Sequence, residues 1–131
     1  MPLARRIVAW LPAIGWALLI FWFSAQPNLR FAQDELLDLV VRKLGHMGVF
    51  GILALLVWRG LAVTTPARPA WAWAAGLSLL YAATDEFHQA FTPGREPTIR
   101  DVAIDGLGIA IAVVIARAVL GWRAKRGRRE G

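Results

Sequence analysis

Apolar residues gather into four stretches along the chain, separated by short polar segments. The first stretch, Ile7 to Leu29, carries no charge and exceeds the ~20 residues a bilayer-spanning helix requires. Arg5 and Arg6 precede it, which raises the alternative of a secretory signal peptide. Phe23 stands where cleavage after Ala25 wants a small residue, and Pro12 interrupts the apolar region. An uncleaved first helix ending near Ser24-Ala25-Gln26-Pro27 is therefore expected. The remaining charge-free runs, Met47 to Trp58, Ala70 to Thr84 and Gly106 to Ala116, are each too short to cross a bilayer alone. Each reaches spanning length only by taking ionisable residues into one end. The expected spans are 7–25, 43–62, 70–90 and 101–121, in one membrane domain covering 1–131. This is an all-α integral membrane bundle of four transmembrane helices. A re-entrant or interfacial helix at one of the short runs is the competing reading.

Composition excludes other classes. Hydrophobic residues make up 57% of the 131 and charged ones 18%, which argues against disorder, a coiled coil and an ordinary water-soluble enzyme. There is no cysteine, so no disulfide, thiolate zinc site or thiol nucleophile is available. The net charge of +6 invites a nucleic-acid reading. However, the basic residues flank apolar runs rather than alternating with stacking aromatics, so no nucleic-acid partner is expected.

The placement of charge predicts topology. With four alternating helices, one face carries Arg5, Arg6, Arg59, Arg68, Arg117, Arg123, Lys125, Arg126, Arg128 and Arg129 against the single acid Glu130. The other carries Arg30, Arg42, Lys43, Arg95 and Arg100 against the remaining acidic residues. The basic face is the cytoplasmic one by the positive-inside rule, so both termini are expected in the cytoplasm. Trp10, Trp58, Trp71, Trp73 and Trp122 fall near that interface as an aromatic belt does. The segment 123–131 is expected to be a solvated basic tail attracted to anionic lipid. Small residues at Gly45, Gly48 and Gly51, at Ala72 and Gly76, and at Gly108, Ala112 and Ala116 form ridges suited to close helix contact.

Polar residues inside the spans gather at the opposite, outer end. Lys43 and His46 share a face at the start of the second helix. Asp85 and His88 do so near the end of the third, with Glu86 and Gln89 beside them. Asp101 and Asp105 share a face at the start of the fourth. The loop Phe91-Thr92-Pro93-Gly94-Arg95 supplies a Pro-Gly turn that projects Arg95. Ionisable groups in a membrane are costly and mark function, which singles out His46, Glu86, His88 and Asp105. Glu86, His88 and Asp105 are the candidate acid–base groups. Lys43, His46, Asp85, Gln89, Arg95 and Asp101 are the candidate ligand-binding ones.

Blander roles compete with these. Asp101 can belong to a capping box opened by Thr98. Asp38 and Arg42 read as an i,i+4 pair on a solvated face, Arg95 can neutralise Asp85 or Asp101, and Lys43 can snorkel to the headgroups. A hard-cation or zinc site from His88, Asp85, Glu86 and Asp105 is conceivable, but the spacing fits no standard metal motif. No metal ligand is assigned and no cofactor is expected. Ser24 and Ser78 show no base partner, and no phosphate-binding loop or nucleotide motif is present.

Lys43-Leu-Gly-His46, Asp85-Glu86-Phe-His88-Gln89, Phe91-Thr-Pro93-Gly94-Arg95 and Asp101-Val-Ala-Ile-Asp105-Gly-Leu-Gly108 follow the order and spacing of the VanZ-like family. Phe21-Trp-Phe-Ser24-Ala-Gln-Pro27 resembles that family's first-helix ending, and the likeness runs roughly from Trp10 to Ala116. The resemblance implies a small multi-helix protein of the bacterial envelope, in a family named for a member linked to teicoplanin resistance. It implies no particular reaction.

Three readings follow for a chain expected in the bacterial cytoplasmic membrane. The first is a binder of membrane lipid or a lipid-linked cell-wall precursor, with Arg95 and Lys43 holding the anionic group. The second is an enzyme acting on a lipid headgroup, with Glu86 or His88 as general base and Arg95 stabilising negative charge. The third is an internal ion network that locks helices 2, 3 and 4 without a ligand.

Overall fold

A computed structural model describes residues 2–27, 30–65, 69–96 and 98–129. Leu29 at the end of the first apolar stretch, and Arg68 and Glu130 of the charge pattern, lie outside the described residues. Four helices make up the fold: α1 (Leu3–Ser24), α2 (Glu35–Thr64), α3 (Ala70–Gln89) and α4 (Ile99–Gly127). Three of them, α1, α2 and α4, are long and apolar enough to cross a membrane. The third helix is not among them. Its buried face is built from the small residues Ala70, Ala74, Ser78 and Ala82, and its last turns carry Asp85, Glu86, His88 and Gln89.

Local chemistry explains the helix boundaries. Asp34 caps α2 by accepting from the Leu37 amide at 2.8 Å, with Glu35 and Asp38 favourably placed in the first turn. Thr98 caps α4 by accepting from the Asp101 amide at 3.2 Å, and its hydroxyl donates to Asp101 Oδ2 at 2.9 Å. Between α3 and α4, the Arg95 amide donates to the Thr92 carbonyl at 3.2 Å, closing a turn with Pro93 second and Gly94 third. Gly94 sits at φ 78°, the conformation a type II turn demands there. Pro12 lies within α1 without ending it. The fourth helix continues through Lys125 and Arg126 to Gly127, so most of the basic segment expected as a tail is helical. Cations in a last helical turn favour that continuation.

Contacts between helices set their directions. Trp16 Nε1 donates to the Val49 carbonyl at 2.9 Å, and Arg59 reaches the Ala9 carbonyl at 3.4 Å, so α1 and α2 are antiparallel. Tyr81 Oη donates to the Ala17 carbonyl at 2.7 Å and Ser24 Oγ to Asp85 Oδ2 at 2.6 Å, which makes α1 and α3 parallel. Lys43 pairs with Asp101, and Gly51 packs on Gly108 and Ala112, so α2 and α4 are parallel. The ends of α1 and α3 thus meet the starts of α2 and α4. The start of α1 and the end of α4 share the opposite end.

The second helix is the hub. It touches all three others, most extensively α4, whereas α1 and α4 do not pack together. Phe50, Leu53, Ala54 and Val57 fill the centre from α2, facing Ala13 and Ile20, Ala74 and Ala82, and Ile109 and Val113. Large apolar side chains such as Leu18, Leu80 and Val114 point outward instead. That distribution suits a hydrocarbon surround, where every backbone polar group is satisfied within a helix and apolar surface need not be hidden. Not every small residue serves close packing. A Cβ on Gly108 would lie 2.6 Å from Met47 Cα, and one on Gly51 3.1 Å from the Gly108 carbonyl oxygen. Gly45, Gly48 and Gly76 face open space.

Candidate functional site

Because the helices alternate, the polar ends of α2, α3 and α4 converge at one end of the bundle. They line a cavity of about 550 Å³ whose walls include Lys43, His46, Glu86, Gln89, Arg95, Asp101 and Asp105. Seven of the nine residues singled out in the sequence therefore share one space. Arg42, Leu39, Gly94, Glu96 and Ile104 complete it.

One ion pair and one histidine–carboxylate contact tie α2 to α4 there. Lys43 Nζ pairs with Asp101 Oδ1, one helical turn below the Thr98 cap. His46 Nδ1 lies 3.3 Å from Asp105 Oδ1. Asp101 thus accepts from the capping Thr98 hydroxyl through Oδ2 and holds Lys43 through Oδ1. Asp105 is 1% exposed, and neither of its carboxylate oxygens accepts a hydrogen bond. Glu86 is also buried, and its Oε2 likewise has no hydrogen-bond partner.

Asp85 and His88 stand outside this cavity, although they flank Glu86 in sequence. Asp85 turns towards α1, where Oδ2 accepts from Ser24 Oγ and from Gln89 Nε2 at 3.0 Å. Gln89 also donates to Ser24 Oγ at 3.3 Å, so a buried Ser–Asp–Gln cluster joins α1 to α3. Ser24, which the sequence leaves without a partner, is therefore bonded to a carboxylate. His88 stacks on Phe21, with ring centroids 4.4 Å apart. The cation set conceived from His88, Asp85, Glu86 and Asp105 is split by this arrangement: Glu86 and Asp105 remain together, and His46 stands in the place of His88.

The reading of Asp38 and Arg42 as a solvated pair is corrected. Arg42 Nε lies 3.0 Å from Asp38 Oδ2, but Asp38 is buried. Its Oδ1 accepts from the amides of Phe31 at 2.6 Å and Ala32 at 3.2 Å, folding the α1–α2 connection back onto α2. The Phe31 amide holds the Asp38 carboxyl below its ordinary value. The Ala32 amide and the charges of Arg42 and Arg30 act in the same direction, against an opposing effect of burial.

Arg95 forms no ion pair among the described residues, with Asp85 held by Ser24 and Asp101 by Lys43. It is half-buried and borders two cavities. The second is an apolar slot of about 310 Å³ between α1 and α2, walled by Trp16, Leu19, Ile20, Phe23, Phe31, Val41, Val49 and Phe50 among others. Arg42, His46 and Arg95 line both spaces. Three nitrogen-bearing side chains thus stand where the polar cavity meets the apolar one. The slot was not visible in the sequence, because its walls come from helix faces that read simply as lipid-facing.

The model of the VanZ/LLP1 family matches residues 9–120. The chain belongs to the VanZ/LLP1 family. The matched segment includes every residue of the polar cavity and the Ser24–Asp85–Gln89 cluster. No curated protein and no solved structure matches the chain. A VanZ-like protein with three helices fit to cross a bilayer is a membrane protein.

Proposed function

We propose that this VanZ-like protein crosses the bacterial cytoplasmic membrane four times, with both termini in the cytoplasm, and binds an anionic lipid or lipid-linked envelope component at its outer end. The observation that carries the reading is the meeting of a polar and an apolar cavity at Arg42, His46 and Arg95. An amphiphile has that division: an acyl or prenyl chain suits the slot between α1 and α2, and a phosphate suits the nitrogen-bearing boundary. Arginine is the residue best fitted to a phosphate, because its planar fork offers paired donors. Arg95 is the residue with a charge to spare, since Lys43 and Arg42 are engaged by Asp101 and Asp38.

Four crossings are supported by the length over which α3 follows its neighbours. Its first turn places Trp71 under Arg117 of α4, 4.1 Å from the ring centroid, and its last turns meet Ser24 of α1. The cluster of cations at the other end supports a cytoplasmic position for the termini.

Native mass spectrometry of the purified protein tests the reading. The wild type should retain a selected phospholipid or prenyl-phosphate class, and Arg95→Ala should lose most of it. Retention without class selectivity, or equal retention by Arg95→Ala, would overturn the proposal.

A structural role is the second reading, and it applies to Asp85. Buried between Ser24 and Gln89 and facing away from the polar cavity, this carboxylate joins α1 to α3.

A further inference from the structure

We propose that His46, Glu86 and Asp105 form a binding site for a divalent first-row transition-metal cation at the floor of the polar cavity. The three residues come from α2, α3 and α4, one each, so a bound ion would join three helices. One ligand atom from each lies within 4.8 Å of the others. His46 Nδ1 and Asp105 Oδ1 are 3.3 Å apart. Two donors on one ion, each at about 2.0–2.2 Å, stand roughly 3.3–3.6 Å from one another in a tetrahedral arrangement and about 2.8–3.1 Å when adjacent in an octahedral one, so the tetrahedral spacing fits. The same separation is long for a direct N–H···O hydrogen bond, which is commonest near 2.9–3.0 Å.

The second observation is the state of the carboxylates. Asp105 is 99% buried, faces the cluster, and has no hydrogen-bond donor on either oxygen. Glu86 Oε2 is in the same condition. Buried carboxylates without partners are costly, and native proteins pair them with a donor, a cation or a metal. Neither Glu86 nor Asp105 has a lysine or arginine in ion-pair contact among the described residues, since Lys43 is taken by Asp101 and Arg42 by Asp38. Two carboxylates and a dication sum to zero charge, and neutral imidazole adds none.

The donor set selects the ion class. One imidazole nitrogen with two carboxylates suits Zn²⁺, Mn²⁺ or Fe²⁺, whereas Ca²⁺ and Mg²⁺ prefer oxygen alone. Three protein ligands leave coordination positions open towards the cavity, as in metal sites that take water or substrate. This inference stands on the three donors and does not require a lipid in the site.

The test is equilibrium dialysis of tag-free, chelator-treated protein in detergent against micromolar Zn²⁺, with metal content read by mass spectrometry. Wild type should bind one equivalent and unfold at a higher temperature with Zn²⁺ than without. Asp105→Asn, which keeps the shape, and His46→Ala should each weaken binding more than about a hundredfold, beyond the roughly 10–100-fold that loss of an outer-shell partner typically costs. His88→Ala removes the other histidine and should retain Zn²⁺ fully. Absence of stoichiometric Zn²⁺ on the wild type would overturn the site. Equal binding by wild type and Asp105→Asn would do the same. The wild-type measurements stand without any variant, so a variant that fails to fold leaves the proposal open to refutation.

Discussion

Gly108 of α4 lies directly against the backbone of Met47 in α2, with no room between them for a side chain. The contact sits beside His46 and three residues from Asp105, so it sets the distance between the helices that carry the polar cavity. Gly108→Ala should force the two backbones apart and cost about 1–3 kcal/mol or more, the range for overpacking a filled interior. Gly48→Ala, which meets open space, should be neutral or stabilising by up to about 1 kcal/mol through helix propensity. Unfolding in detergent, followed by tryptophan fluorescence, compares the two. Equal stability of both variants would contradict the close approach.

Ser24→Ala should destabilise the protein by about 1–3 kcal/mol, because it removes a donor from a buried carboxylate. Gln89 still donates to that oxygen, which keeps the loss below that of an isolated buried charge. The exposed position Ile99→Ala provides a reference within about 0.5 kcal/mol of wild type.

Acid should release the α1–α2 connection before it unfolds the helices. The Asp38 carboxyl lies below its ordinary value of 3.8, chiefly through the Phe31 amide. A folded value lower than the unfolded one means that the stabilisation is complete above about 3.8 and is lost as pH falls through the folded value. Hydrogen exchange at Phe31 and Ala32, corrected for its intrinsic pH dependence, should accelerate in that window. In Asp38→Ala those amides should exchange fast at every pH. Protection that persists in the variant would remove Asp38 as the anchor.

Single cysteines test the orientation cleanly, since the native chain has none. An impermeant maleimide on intact cells, with any outer membrane opened, should label Asn28→Cys and Thr98→Cys. Ala67→Cys and Gly127→Cys should react only after lysis of the inner membrane. Labelling at 67, or protection at 98, would place the cavity on the cytoplasmic side.

The helices and most of the cavity were legible in the sequence because both depend on short-range spacing. Lys43 and His46, or Asp101 and Asp105, share a face by virtue of helix periodicity alone, and alternation of direction brings their ends together. What required the structure was phase. On α3, a rotation of about 100° per residue separates Asp85, Glu86 and His88, and spacing does not say which of them turns to α1 and which to the centre. Packing of Phe21 against His88, and of Ser24 against Asp85, settles that choice. Asp38 departs from its expected solvated pairing for a different reason. Its partners Phe31 and Ala32 lie in an irregular connection, where no periodicity signals that a carboxylate is turned inward.

The dominance of the α2–α4 contact has a consequence for biosynthesis. The helix that completes the largest interface follows the other three along the chain, so α1, α2 and α3 leave the ribosome before it does. Until then α2 presents Gly51 and Met47 to lipid, while Lys43 and His46 await partners not yet made. A nascent chain halted before Asp101 therefore possesses its first three helices but lacks the α4 wall that closes the polar cavity.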